Sequence, residues 1–205
     1  MLLKSDYRGL GSQVRVVLLE GTGRILNHLD PDLSESAERA LRAKGVEVRL
    51  ESFVEGFDGA QVRLKGGGSI AAHTLIWAAG VRSAGVVDSL DSPQGSQNRV
   101  RVNPDLSLPD DPRVYVIGDA AYKENGGGKP LPMVAPVAMQ QGQLAAENIL
   151  ARLDGRKTRP FQYKDPGSLA TIGRSQAVAQ LGRLKFRGFL AWAVWLVVHL
   201  MQLVG

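Results

Sequence analysis

Alternating apolar and polar side chains over the first 80 residues predict one helix set among short strands. Asp30 and Pro31 cap and open the helix, and Gly45 ends it in a left-handed turn. Its apolar side carries Leu33, Ala37, Ala40 and Leu41. The predicted strands cover residues 14–20, 46–50, 52–57, 61–64 and 73–78.

The second half of the chain has fewer but clearer signals. Residues 113–121 predict an apolar strand that stops at Gly118 and leaves Asp119 at its carboxyl end. A glycine-rich loop at 122–131 precedes a helix at about 136–152, which is expected to bury Ala138, Ala145, Ile149 and Leu153. Short strands are also predicted at 99–102, 170–173 and 177–179.

Gly118 and Asp119 form the strongest candidate binding site. In a doubly wound sheet, ligands bind at the carboxyl ends of the strands. A glycine there lets the backbone approach a ligand, and the neighbouring carboxylate can accept hydrogen bonds from ribityl or ribose hydroxyls. An ordinary strand-to-turn junction, with Asp119 capping the next turn, is the alternative.

Charge separates the tail from the rest of the chain. The net charge is +5, and residues 151–187 hold nine basic and two acidic residues, whereas residues 188–205 carry no formal charge. This arrangement predicts a helix that lies at the headgroup level of a membrane, with Arg183, Lys185 and Arg187 beside it. A buried helix or a homodimer interface is the alternative. Nothing in the sequence predicts nucleic-acid binding.

Metal and thiol chemistry find no support in the composition. The chain has no cysteine, so it offers no dithiol, disulfide or thiolate cluster. Its three histidines, His28, His73 and His199, are widely spaced and fit neither a metal site nor a catalytic triad.

Three segments in series resemble the carboxyl-terminal part of the flavoprotein reductases that bind two dinucleotides. They are residues 74–80, 113–121 and the helix from Pro136. Three motifs resemble those of type II NADH dehydrogenases, the non-pumping NADH:quinone oxidoreductases. They are Trp77-Ala-Ala-Gly-Val-Arg82, the Pro-Met-Val-Ala-Pro-Val-Ala-Met-Gln-Gln-Gly run of 132–142, and Gly167–Arg174. The resemblance implies an α/β, Rossmann-like fold with a small carboxyl-terminal unit and an apolar tail helix.

The same resemblance implies FAD and NADH as cofactors, a quinone as electron acceptor and a monotopic protein on the cytoplasmic face of a membrane. Hydride transfer to a flavin needs no catalytic side chain, because the cofactor does the chemistry. The candidate FAD residues are Gly118, Asp119, Ala135, Val137 and Ala138, at a helix whose positive end would face the flavin. The candidate NADH residues are Glu20, Ala79 and Gly80, and the candidate quinone-side residues are Pro136, Met139, Gln140 and Gln141.

Several of these residues have plainer interpretations. Glu20 could be a strand-end charge, Ala79 and Gly80 could serve compact packing, and Gln140 and Gln141 could be polar helix-surface residues. The family usually has Ala-Gln where this chain has Ala135-Pro136, and proline provides neither an amide hydrogen nor a side-chain amide.

Both glycine-rich pyrophosphate turns of a complete enzyme are absent from the sequence. The strand at 14–20 corresponds to the second strand of a nicotinamide domain, whose turn lies about 20 residues earlier, yet only 13 residues precede it. We therefore expect a carboxyl-terminal portion of a longer protein, with a missing amino-terminal segment as a partner. The expected domains are 1–79 (part of the NADH domain), 80–158 (part of the FAD domain) and 159–205 (membrane-associating). A soluble ferredoxin-type reductase and a catalytically silent membrane-binding fragment are the alternative functions.

Overall fold

The computed structural model describes residues 14–204, which divide into two compact units. The first unit combines residues 14–77 with 166–204, and the second is Ala78–Asp165. Residues 1–13 of the predicted first domain and Gly205 of the predicted tail lie outside the described residues.

A parallel strand pair and one helix form the core of the first unit. Strand β1 (Val16–Leu19) pairs with β2 (Val46–Arg49), and helix α1 (Pro31–Ala43) connects them. Asp30 caps α1 by accepting a hydrogen bond from the Asp32 amide at 3.1 Å, and Gly45 follows the helix at φ +83°. The predicted helix and its start and stop residues are confirmed.

A meander of three antiparallel strands follows. It consists of β3 (Val54–Phe57), β4 (Gln61–Leu64) and β5 (Ser69–Ala71). The predicted buried strand at 73–78 is wrong: this segment pairs with no strand among residues 14–204, and Ile76 and Trp77 are 83% and 64% exposed. An apolar segment becomes a buried strand only where neighbouring strands satisfy its backbone groups and other elements, such as helices, cover its two faces.

The carboxyl-terminal residues of the first unit form a second antiparallel sheet and the last helix. The strands are β8 (Ser168–Thr171), β9 (Ala177–Leu181) and β10 (Leu184–Arg187), in the order β10-β9-β8. Helix α3 (Gly188–Val204) places Ala191 against Ala177 and Ala179. The predicted strands near 170 and 177 are confirmed, and the hairpin strand β10 was not predicted.

Two ion pairs connect this sheet to the start of α1. Lys185 lies 2.5 Å from Asp30, and Arg187 lies 3.4 Å from Asp32. The hydrogen bond from Lys185 holds the pKa of Asp30 below its usual value. Two of the three basic residues expected at a membrane surface therefore have carboxylate partners within the unit.

Helix α3 exposes a broad apolar face. Its exposed large side chains are Phe189, Leu190, Val197, Leu200, Met201 and Leu203. At 100° per residue these positions fall on one side of the helix. Among the described residues, no helix is both long enough and apolar enough to cross a bilayer.

The second unit is built around one long helix and irregular backbone. Strand β6 (Val100–Arg101) pairs in parallel with β7 (Ala121–Tyr122), and helix α2 spans Ala135–Leu153. Residues 114–117 do not form the predicted strand. They make one antiparallel bridge, Ser107 to Tyr115, and a single 3-10 turn follows at Gly118–Ala120.

The buried face of α2 differs from the predicted one. Ile149 and Leu153 are exposed, and Ala138 is only partly buried. The buried residues are Val137, Gln141, Ala145, Asn148 and Ala151. Apolar periodicity misplaced this face because two of the buried residues are amides with backbone partners.

Candidate functional site

The Gly118 turn packs directly on α2. Gly118 adopts φ +64°, and a Cβ placed on it would lie 3.2 Å from the Cβ of Ala138. Its amide donates a 2.6 Å hydrogen bond to Oε1 of Gln141. A side chain at position 118 would strain the backbone and crowd the helix, so the turn requires glycine on two grounds.

Asp119 is held through its backbone, while its carboxylate remains exposed. Its carbonyl accepts a 2.9 Å hydrogen bond from Oγ of Ser83, which is buried. The carboxylate accepts no hydrogen bond from any of the described residues. The carboxylate therefore does not cap its own turn, because a cap would bond to the amides of that turn. Its contact with a ligand stays a prediction.

The amino terminus of α2 has no side-chain cap. Val134 occupies the cap position in extended conformation, and the amides of Val137 and Ala138 bond back to its carbonyl. The first turn contains Pro136 and no acidic residue. The positive end of the helix dipole is therefore uncompensated by any carboxylate of the helix itself.

Besides Gln141, two other amide side chains of α2 form hydrogen bonds to neighbouring backbone. Gln140 accepts from the Lys164 amide at 3.1 Å and donates to its carbonyl at 2.8 Å. Asn148 bonds to the carbonyls of Asp105 and Arg159 and to the Arg159 amide. Sequence reasoning missed Asn148, since a buried Asn among apolar positions looks like a surface residue until its partners are known.

Gln141 is completely buried, so its interpretation as a surface residue is wrong. Within the described part of the chain, its Nε2 has no hydrogen-bond partner. Met139 is exposed and Pro136 is partly buried. A contact of these two residues or of either glutamine with a quinone stays a prediction.

Arg99 is a buried cation of the second unit that sequence reasoning also missed. It is 2% exposed, donates to the carbonyl of Leu131 at 2.8 Å, and lies 5.3 Å from the centre of the Tyr122 ring. Burial lowers the pKa of Arg99, and the charges of Tyr122 and Asp119 oppose this. Alternation in Arg99-Val-Arg-Val102 could not distinguish this arginine from the exposed Arg101.

In the first unit, Glu20 follows β1 and is partly buried. Its Oε1 accepts hydrogen bonds from both the amide and Oγ1 of Thr22, each at 2.8 Å. These two bonds fix the orientation of the carboxylate at the strand end. Such a carboxylate can accept bonds from vicinal hydroxyls and repels a phosphate.

Ala79 and Gly80 lie in exposed coil of the second unit. Gly80 adopts φ +109°, and a Cβ placed there would meet no atom within 4 Å. Their alternative interpretation as compact packing is therefore wrong, and their predicted contact with a dinucleotide stays a prediction.

A protein-family model described as pyridine nucleotide-disulphide oxidoreductase matches residues 4–142. The chain is 35% identical, over 99% of its length, to the type II NADH:quinone oxidoreductase Ndh of Mycobacterium tuberculosis. It is 30% identical, over 87% of its length, to a type II NADH:quinone oxidoreductase of Staphylococcus aureus. The chain spans 45% of the length of each of these relatives.

Solved structures confirm the α/β fold. The structure of NDH2 from Plasmodium falciparum in complex with NADH aligns over 99% of this chain and 57% of its own, with a TM-score of 0.84 at 16% identity. A Bacillus anthracis CoADR-RHD structure covers 83% of this chain and 30% of its own, with a TM-score of 0.66 at 24% identity. The resemblance to type II enzymes that the sequence motifs indicated is thus confirmed.

Proposed function

The chain belongs to the pyridine nucleotide-disulphide oxidoreductase family, and from this premise we propose that it is part of an FAD-dependent oxidoreductase that transfers electrons from NADH to a membrane quinone. The type II NADH:quinone oxidoreductases that it resembles support this assignment. Bound FAD would accept a hydride from NADH and pass the electrons to the quinone.

The Gly118–Asp119 turn is the observation that carries the proposal. A flavin needs an accessible acceptor for its ribityl hydroxyls and space for close approach of its phosphates. Asp119 offers an exposed carboxylate, and the glycine before it lets the turn pack close to the amino-terminal part of α2. Together with Ala135, Val137 and Ala138 at the uncapped end of α2, these residues fit FAD.

Glu20 would hold the adenosine ribose of NADH. Thr22 orients its carboxylate at the end of β1, where a 2′-phosphate would meet a negative charge. This arrangement favours NADH over NADPH. Ala79 and Gly80 would provide the close backbone approach that a dinucleotide needs.

On the quinone side, the candidates are Pro136, Met139, Gln140 and Gln141. Gln140 already uses both ends of its amide on Lys164, so it would contact a quinone only after releasing that backbone. Exposed Met139 is the candidate with the freest side chain.

The apolar face of α3 would place the protein peripherally on the cytoplasmic face of a membrane. Phe189, Val197, Leu200 and Leu203 offer an apolar surface without any charge on the helix. Lys185 and Arg187 are engaged with Asp30 and Asp32, which leaves exposed Arg183 as the nearest free cation for an anionic headgroup among the three basic residues before α3. We also propose that the part of the NADH domain ends at residue 79, that the part of the FAD domain ends at residue 158, and that residues 159–205 form the membrane-associating region.

The proposal is tested with the 205-residue chain and with a chimera. In the chimera, the part of the Mycobacterium tuberculosis relative that this chain does not match is fused to it. The 205-residue chain is expected to retain little or no FAD and to show no turnover, because it lacks both glycine-rich turns. The chimera is expected to bind FAD stoichiometrically and to reduce a quinone with NADH.

Visible flavin absorbance and NADH oxidation in the presence of a quinone measure both outcomes. A folded chimera without flavin would contradict the proposal. Stoichiometric flavin and turnover in the 205-residue chain would contradict the expectation that this chain is inactive on its own. Reduction of a ferredoxin but no quinone would favour a soluble reductase instead.

A further inference from the structure

An exposed aromatic ring lies against Gly21, the residue that follows Glu20. Phe53 is 56% exposed, although most phenylalanines are buried. A Cβ placed on Gly21 would lie 2.7 Å from Cε1 of Phe53 and 3.0 Å from its Cζ. One edge of the ring therefore rests on Gly21, and more than half of the surface of Phe53 is open to solvent.

Backbone hydrogen bonds fix this arrangement. The Glu20 amide bonds to the Arg49 carbonyl, the Ser52 amide to the Glu20 carbonyl, and the Glu51 amide to the Thr22 carbonyl, at 2.9–3.0 Å. The segment that ends at Phe53 thus runs alongside Glu20–Thr22. From the other side, the Lys65 amide bonds to the Phe53 carbonyl at 2.9 Å.

Glu51 adds a sign of functional constraint. It adopts φ +52°, a left-handed conformation that is unfavourable for a residue with a side chain. Such conformations cluster at ligand-binding sites, where surrounding structure maintains them. Here the bond to Thr22 maintains it, and it lets the chain turn towards Phe53.

We infer that Phe53 is a stacking platform for the adenine ring of the nucleotide whose ribose Glu20 holds. This inference rests on the proposed function, since it takes NADH as the ligand. In an adenosine the base is attached directly to the ribose, so an exposed ring that packs on the residue next to Glu20 is within reach of the base. Gly21 lets the ring pack directly on the backbone, because a side chain at this position would occupy the place of the ring.

The test measures binding of 5′-AMP to the 205-residue chain by calorimetry. Phe53→Leu is expected to weaken binding at least about fivefold, because it keeps apolar bulk but loses the aromatic plane. Phe53→Trp is expected to retain binding. Gly21→Ala, which keeps the phenylalanine at position 53, is expected to weaken 5′-AMP binding, because the new methyl group would displace its ring.

Controls keep the inference separate from folding and from the proposed function. Phe189→Leu removes another exposed phenylalanine, from α3, and is expected to leave 5′-AMP binding unchanged. Nicotinamide mononucleotide, which has no adenine, is expected to bind all variants alike. Absence of 5′-AMP binding by the unaltered chain, or equal binding by Phe53→Leu, would overturn the inference. Flavin content and quinone reduction do not enter this readout, so their failure would count against the proposed function alone.

Discussion

Valine at position 118 is expected to lower the free energy of unfolding by at least about 2 kcal/mol, the largest loss we expect from a single change in the second unit. Gly118 adopts φ +64°, which a β-branched residue strongly disfavours. The new Cβ would also lie 3.2 Å from that of Ala138. Urea unfolding of the 205-residue chain measures the loss.

Gly126→Val is the matched control. Gly126 has nearly the same φ, +65°, but a Cβ there would meet no atom within 4 Å. Gly126→Val reports the backbone strain alone. The difference in the free energy of unfolding between the two variants is therefore the cost of crowding α2. Equal losses would mean that the turn does not pack on the helix as described.

Gln141→Met is expected to give the second-largest effect. The methionine fills the same volume but leaves the Gly118 amide without its acceptor, at a cost of about 1–3 kcal/mol that losing the unpaired Nε2 partly offsets. Hydrogen exchange at the Gly118 amide is expected to become about tenfold faster.

Gln143→Met on the exposed side of α2 controls for the change in helix composition. It should leave exchange at Gly118 unaltered. Unchanged exchange in Gln141→Met would show that Gln141 does not hold the turn.

Elements with local signals could be predicted from the sequence. Helix α1 has a capping aspartate, a proline at its start, an apolar side and a terminal glycine, all within 16 residues. The meander strands alternate between glycine-rich turns. In both cases the information that specifies the element lies within the element itself.

Elements that depend on distant partners could not be predicted from the sequence. The apolar segments 73–78 and 114–117 have strand composition, but the described residues supply no parallel neighbours for them. The burial of Arg99, Gln141 and Asn148 could not be predicted either, because each of these side chains is hydrogen-bonded to backbone groups that are distant in sequence. Such partners leave no periodic signal.

The residues of the candidate site show the same distinction between local signals and distant partners. Gly118 and Asp119 could be named from the sequence, because a glycine-carboxylate pair at a strand end has a chemical rationale of its own. The role of Gln141 in supporting the turn could not be inferred. Neither could the packing of the Phe53 ring on Gly21, which is a contact across 32 residues.

Flavin content of the chimera carrying Asp119→Ala is the most direct measurement of whether the exposed carboxylate binds the cofactor. Asp91→Ala, which removes another exposed carboxylate of the second unit, is the control. If Asp119 accepts hydrogen bonds from the flavin hydroxyls, the first variant loses visible flavin absorbance on gel filtration while the control keeps it. Full flavin content in a folded Asp119→Ala chimera would contradict the assignment.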